Sequence, residues 1–353
     1  MTPEFWRSRR VFLTGHTGFK GSWLSLWLRR MGAEVYGYST EPPTTPNLFT
    51  VADVAGDLAG NTIADIRDQT ALNNAMRAAA PEVVFHMAAQ PLVRFSYQEP
   101  VETFAVNVMG TAHVLEAARA CESVRAVVVI TTDKCYENKE WVWGYRENEP
   151  LGGHDPYSSS KACAELVTAA YRSSFLAERG VVVSTVRAGN VIGGGDWALD
   201  RLLPDFFRAL DRGQILQIRY PGATRPWQHV LEPLSGYLRV AESALSDGAR
   251  CGRAWNFGPA DSDVRTVEWI LNYMSGRVPT ARWQQVGTQQ AHEAHSLKLD
   301  SSSARLELNW APRWNLQTAL DQTIAWHSRW RAGADMHAVT LGQIGEYESS
   351  VRE

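Results

Sequence analysis

Tyr157-Ser158-Ser159-Ser160-Lys161 places a phenol and an ammonium four positions apart, a spacing that puts both on one face of a helix. A nearby lysine charge lowers a phenol pKa from about 10 toward neutrality. The resulting phenolate can take a hydroxyl proton while a hydride leaves the same carbon. Such pairs also occur on solvated helix surfaces, so the neighbouring segments decide. Upstream, Thr131-Thr132-Asp133-Lys134-Cys135-Tyr136 follows the apolar run Ala126 to Ile130. Strand ends in open α/β sheets face the ligand crevice. This sets Thr132 to bond the same substrate hydroxyl as Tyr157 and groups Thr132, Tyr157 and Lys161 as a catalytic triad. Read blandly, Asp133-Lys134 is a surface pair closing a strand.

A hydride acceptor is implied by Gly15-His16-Thr17-Gly18-Phe19-Lys20-Gly21, which lies between the apolar run Val11 to Leu13 and a helical pattern. Glycines allow the sharp turn and close approach of a pyrophosphate, whose charge the free amides and the helix dipole stabilise. A tight strand-to-helix turn would use the same glycines, but the position after a first strand favours a dinucleotide. All seven residues are candidate cofactor contacts. Asp65 and Ile66 close a third strand, where the carboxylate would meet the adenine amino group or cap the next helix, although Asp68 suits the cap better. Ala88, Ala89 and Gln90 end a fourth strand and are expected against the cofactor, Gln90 also against the substrate. Asn107 is counted with the cofactor residues. The second strand ends at Val35-Tyr36-Gly37-Tyr38-Ser39 with neither the usual acidic residue nor an arginine for a 2′-phosphate, and the reading favours NAD over NADP.

These residues need elements to hold them. Short apolar runs at Val11 to Leu13, Glu34 to Tyr38, Val83 to Met87, Ala126 to Ile130 and Val181 to Val186 alternate with longer amphipathic ones, the rhythm of a parallel α/β sheet. Leu24, Trp27, Leu28 and Met31 make the buried stripe of a helix after the first strand. Further helices are expected over Val101 to Ala120, Tyr157 to Tyr171 and Glu232 to Leu245, with a strand over Gln214 to Ile218. The expected architecture is a Rossmann-type doubly wound parallel sheet over residues 1–188. A smaller substrate-binding lobe over 189–353 is interleaved with late strands of that sheet. The last 15 or so residues read as a poorly anchored tail.

The chain has 353 residues, 44% of them hydrophobic, with 35 basic and 38 acidic residues spread along it. Nothing suggests a polybasic segment for nucleic acid or membrane, and a small molecule is the expected partner. Cys121, Cys135, Cys163 and Cys251 form no CxxC pair and read as reduced thiols. With no membrane-length apolar run and no h-region at the start, a soluble cytoplasmic enzyme is expected. His292 and His295 read as surface residues, and no metal site is expected.

Gly15 to Gly21, Thr132-Asp133 and the Tyr157/Lys161 pair resemble the extended short-chain dehydrogenases that act on nucleotide sugars. Thr131 to Asn138, Asp155-Pro156-Tyr157, Gly189 to Trp197 and Arg225 to Val230 sharpen the resemblance to their 4,6-dehydratases, above all the branch acting on CDP-glucose. It spans about Val11 to Trp330. The resemblance implies an internal redox reaction. Tyr157 takes the C4 hydroxyl proton and NAD, tightly held and regenerated each turnover, takes the hydride. C5 loses its proton, C6 loses water, and the hydride returns to C6. Asp133 would protonate the departing hydroxyl and Lys134, standing where the family carries Glu, would take the C5 proton. Burial would keep the first protonated and, with the charge of Lys161, the second neutral. Asn190 and Arg225 would bind the nucleotide sugar, Arg225 at the diphosphate. Arg201 is a further candidate, and Trp227 is either substrate wall or core. His16 and Lys20 depart from the small or apolar residues usual in related dehydratases.

The resemblance also implies a homodimer or homotetramer, paired through the helices at Val101 to Ala120 and Tyr157 to Tyr171, with Val106, Val114 and Leu166 at that contact or packed on the sheet. It places the product among precursors of bacterial surface deoxyhexoses. The rivals are a nucleotide-sugar 4-epimerase, which needs no Asp133-Lys134 pair, and a non-catalytic NAD-sensing protein.

Overall fold

The computed structural model describes residues 2–287 and 297–350. Seven strands form its central sheet: β1 Arg10–Thr14, β2 Glu34–Ser39, β3 Gly60–Ile63, β4 Val83–His86, β5 Ala126–Ile130, β6 Val182–Ala188 and β7 Ala254–Phe257. All pair in parallel, in the order β7-β6-β5-β4-β1-β2-β3. The chain reverses direction across the sheet between β1 and β4, so the crevice opens beyond their carboxyl ends.

Strands of this sheet are covered on both faces, which is why β5 is apolar and buried at every position. Alternate residues serve opposite cores. Val11, Leu13, Val83, Phe85, Val128 and Ile130 face one layer, while Phe12, Val84, Val127 and Val129 face the other. By contrast β3, Gly-Asn-Thr-Ile, is an exposed edge.

After β6 the chain builds a smaller lobe around Leu203, Phe206, Leu216, Trp227, Ile270, Met274 and Leu320. Midway through that segment the chain returns to the main sheet through β7, where Ala254 pairs with Thr185 and Phe257 with Ala188. The expected strand at Gln214 to Ile218 is Ile215–Ile218, and the expected helix at Glu232 to Leu245 is Leu231–Ser246.

The helix expected over Val101 to Ala120 is present, running on from Pro100, with a π-helical turn Ala105–Met109 between Pro100–Phe104 and Gly110–Ala120 where the buried Asn107 side chain is drawn into bonds elsewhere. One expectation fails. The C-terminal end is not a loose tail. Met336–Ser349 is a helix whose Tyr347 is fully buried and donates to Glu232 Oε2 at 2.7 Å. Arg313 caps it by donating to the carbonyls of Tyr347, Glu348 and Ser350.

Candidate active site

The turn after β1 is built by close approach. Gly15 has φ +76°, and a Cβ there would stand 2.7 Å from the Ala88 nitrogen; one on Gly21 would stand 2.1 Å from the Gly15 oxygen. Gly18, at the helix N-terminus, faces open space apart from the Gly15 oxygen 3.3 Å away. A bare backbone at the mouth of a 12-residue helix is a cradle that fits a pyrophosphate.

Not every side chain of this turn faces outward. The fully buried imidazole of His16 lies against Gly37, and its Nε2 is 2.8 Å from Asn61 Oδ1. Burial lowers its pKa. Thr17 spends its hydroxyl on Ser39 and the Thr40 carbonyl. Phe19 and Lys20 do line the cleft. Lys20 Nζ donates to Tyr237 Oη at 3.0 Å, and burial, with the charges of Arg201 and Lys161, brings it down to about 7.

Other expected cofactor residues have partners within the protein. Ile66 is a core residue packed against Gly110. The Gln90 side chain bonds Leu92 and Thr103, while its amide donates to Asn107 Oδ1. Asn107 Nδ2 donates to the Gln90 carbonyl and to Ser160 Oγ. The Asn107 side chain thus ties the Tyr157 helix to the loop after β4, and the Gln90 side chain ties that loop to the helix Pro100–Phe104. Asp65 pairs with Arg67, which holds its carboxyl below the ordinary range, and Asp68 is the cap that accepts from the Ala71 amide. Ala88 sits over Thr14, its amide 3.2 Å from that hydroxyl, and Ala89 lines the cleft.

The cleft, of about 790 Å3, is walled by both lobes. Tyr157 begins the helix Pro156–Tyr171, which Asp155 caps through the Ser158 amide and Ser96 anchors by accepting from the Tyr157 amide. Lys161 follows one turn later. Its Nζ donates to the Ile130 carbonyl at 3.0 Å, and burial lowers it to about 8. The expectation that the charge of Lys161 draws the phenol toward neutrality meets an opposing influence in burial. Burial pushes Tyr157 up to about 12, opposed by a hydrogen bond with Thr132 and by the charge of Arg201. Desolvation of the phenolate is the largest of these influences.

Thr132 Oγ1 donates to Asp133 Oδ1 at 3.0 Å and accepts from the Lys134 amide at 3.3 Å. Asp133 is buried, its Oδ2 has no partner among the described residues, and burial raises its pKa. Lys134 is half-buried on the cleft wall. The pair is thus not a surface cap.

From the smaller lobe come Asn190, Arg201, Arg225 and Trp227, all lining the cleft. Arg201 donates to Asp196 Oδ2 at 2.8 Å, and its charge acts on both Tyr157 and Lys20. The charge of Arg225 acts on Asp133. Trp227 is both things it was expected to be one of, a core residue of this lobe and a wall of the cleft. Ser96, Asp196 and Tyr237 escaped the sequence reading, because single polar residues that anchor others carry no spacing signal. His292 and His295 lie outside the described residues. Among those described, no cluster suited to a metal is present.

Sheet order, glycine turn and the convergence of Thr132, Tyr157 and Lys161 define a short-chain dehydrogenase/reductase-type protein of the extended kind. A family model described as GDP-mannose 4,6 dehydratase matches residues 12–323, and the chain belongs to that family. It is 53% identical over 353 residues, 98% of each chain, to CDP-glucose 4,6-dehydratase of Salmonella typhimurium strain LT2. To dTDP-glucose 4,6-dehydratase of Streptomyces griseus it is 29% identical, covering 72% of this chain and 74% of that one. The fold matches dTDP-glucose 4,6-dehydratase of Streptomyces venezuelae, solved with NAD, at TM-score 0.78, 24% identity and coverage of 92% and 99%. It equally matches a UDP-glucose-4-epimerase of Stenotrophomonas maltophila with bound NAD, at TM-score 0.80, 19% identity and coverage of 92% and 100%. The same scaffold thus carries both chemistries, and the site must separate them.

Proposed function

We propose that the protein is an NAD-dependent CDP-glucose 4,6-dehydratase that converts CDP-D-glucose to CDP-4-keto-6-deoxy-D-glucose and water. The observation that carries this reading is Asp133, buried beside the Tyr157/Lys161 pair with its carboxyl pKa raised and Oδ2 open. An epimerase has no use for such an acid. The 53% identity to a CDP-glucose enzyme supports the choice of base.

NAD, when bound, would supply a reversible hydride store and a positive charge that favours the phenolate. Its pyrophosphate would be held by the turn Gly15 to Gly21. Tyr157 takes the C4 hydroxyl proton, with Thr132 on the same oxygen. The 4-ketone acidifies C5–H, Lys134 removes that proton, and Asp133 gives its own to the C6 hydroxyl, which leaves as water. A proton is then delivered back to C5 as C6 is reduced. Asp133 and Lys134 are coupled and can exchange a proton before reacting. Arg225 and Arg201 bind the diphosphate end, and Asn190 the sugar nucleotide.

We further propose a cytoplasmic homo-oligomer paired through the helices Gly110–Ala120 and Pro156–Tyr171. Leu166 is 60% exposed and Met109 52%, while Val114 is fully buried in the sheet core. No helix of the described residues is long and apolar enough to cross a membrane.

The test is incubation with CDP-glucose, dTDP-glucose, GDP-mannose and UDP-glucose in turn, with and without NAD, following product mass and the absorbance of alkaline 4-keto-6-deoxy sugar. Water loss from CDP-glucose is expected. Mass-neutral conversion of UDP-glucose would make the protein an epimerase instead.

A further inference from the structure

Behind the cleft lies a sealed ion pair that the reaction does not touch. Glu165 and Arg187 are 5% and 2% exposed and meet through two parallel bonds, Nε to Oε1 at 2.8 Å and Nη2 to Oε2 at 2.9 Å. The rest of the carboxylate is taken up by hydroxyls, Thr131 Oγ1 at 2.5 Å and Thr185 Oγ1 at 2.6 Å. The free Nη1 of Arg187 donates to Tyr136 Oη at 2.7 Å and to the Glu147 carbonyl at 3.1 Å. Tyr136 in turn donates to Asn256 Oδ1 of β7 at 2.8 Å, and its ring stacks on Tyr145.

Thr131 and Tyr136 are the two residues that bracket Thr132-Asp133-Lys134-Cys135. The tight turn bearing the acid and the base is therefore hung between two points fastened to one buried salt bridge. Each fastening comes from a different element, Glu165 from the Tyr157 helix and Arg187 from β6. Glu165 is also one turn beyond Lys161 and its charge supports that ammonium. Burial works to raise the carboxyl of Glu165, but Arg187 and the two threonine hydroxyls outweigh it and hold it ionised.

We infer that Glu165, Arg187, Thr131 and Tyr136 form a positioning brace for the elimination half of the reaction, fixing Asp133 and Lys134 against C6 and C5 after C4 has been oxidised. A buried pair that ties three elements together is costly to desolvate and adds little net stability. A place where angles of approach matter is where such rigidity changes rate, because reacting groups lose much of their advantage when displaced by less than a bond length. The inference rests on the dehydratase reading above.

Two substitutions loosen the brace and leave the ion pair standing. Tyr136→Phe removes the hydroxyl held by Arg187 and Asn256, and Thr131→Val removes the other fastening with little change of shape. The NAD-loaded enzyme is followed through a single turnover of CDP-glucose. The near-ultraviolet absorbance of reduced nicotinamide reports C4 oxidation, and deuterium uptake at C5 together with water loss reports elimination. In either variant oxidation is expected to keep its rate while elimination slows ~10-fold or more, so that reduced nicotinamide accumulates. Equal slowing of both steps, or wild-type rates in both, overturns the inference. If the unmutated protein releases no 4-keto-6-deoxy product from CDP-glucose, the dehydratase reading fails first, which the same assay shows separately. Should Thr131→Val not fold, Tyr136→Phe decides.

Discussion

The Thr132 hydroxyl donates to Asp133 Oδ1 at 3.0 Å, so the two side chains act as one unit in which only Oδ2 is left to meet a reacting group. In the proposed mechanism, this hydroxyl, shared between Tyr157 and Asp133, would couple the oxidation and elimination steps.

Asp133→Asn keeps the shape and the bond to Thr132 but cannot give up a proton as the acid does. Turnover is expected to fall by about 10²- to 10⁴-fold, the usual worth of a positioned acid. C4 oxidation should persist, visible as reduced nicotinamide. The same variant loses a buried ionisable group, so its melting temperature at neutral pH should rise. An Asn variant with unchanged turnover would remove Asp133 from the mechanism.

Lys161, brought down to about 8 by burial, should lose its proton within an accessible range. Its charge helps hold the phenolate of Tyr157, so kcat is expected to decline as pH rises through about 8. A pH–rate profile checks this, and a plateau well into the alkaline range would argue that the ammonium is dispensable.

Arg225→Ala and Arg201→Ala should differ. Loss of a charge-assisted bond to phosphate costs about 1.5 to 3 kcal/mol, or roughly 10- to 100-fold. For Arg225 this is expected in KM. Because the charge of Arg201 also acts on Tyr157, its removal should lower kcat as well and shift the pH profile to higher values. Steady-state kinetics across pH distinguish the two.

Glu232 sits under the C-terminal helix, accepting from Tyr347 and from the Arg313 and Trp314 amides, and burial pushes it up to about 7 from 4.5. The folded state thus holds this proton where the unfolded chain has released it. Stability from this group is full below about pH 4.5 and is lost as pH rises to about 7, on the order of 3 kcal/mol. Glu232→Gln should flatten that fall in a series of thermal melts. A slope unchanged by the substitution would assign the effect elsewhere.

That Thr132, Asp133, Tyr157 and Lys161 line one cleft is largely legible in sequence, because these residues announce themselves by spacing and by position after strands. Tyr157 and Lys161 share a helix face, and Thr132 and Asp133 end a buried strand. What was not legible is which polar side chains are spent internally. Gln90 and Asn107 occupy positions next to the cofactor turn, yet their amides satisfy a loop and a helix that meet only in three dimensions. The π-helical turn at Asn107 has no periodic signature, and the phenol of Tyr157 responds to the desolvation around it, which no spacing encodes. The C-terminal helix was misread because its anchor, Glu232, lies over a hundred positions upstream.

The return of the chain to the main sheet through β7 has a consequence for any attempt to dissect the protein. Cut after Ala188, the nucleotide half would keep its glycine turn and Tyr157 but would present β6, buried along nearly its whole length, as a raw hydrogen-bonding border. Such a border recruits other chains. The halves are therefore bound into one folding unit by a late strand, and a fragment carrying the cofactor turn alone should aggregate instead of binding nucleotide.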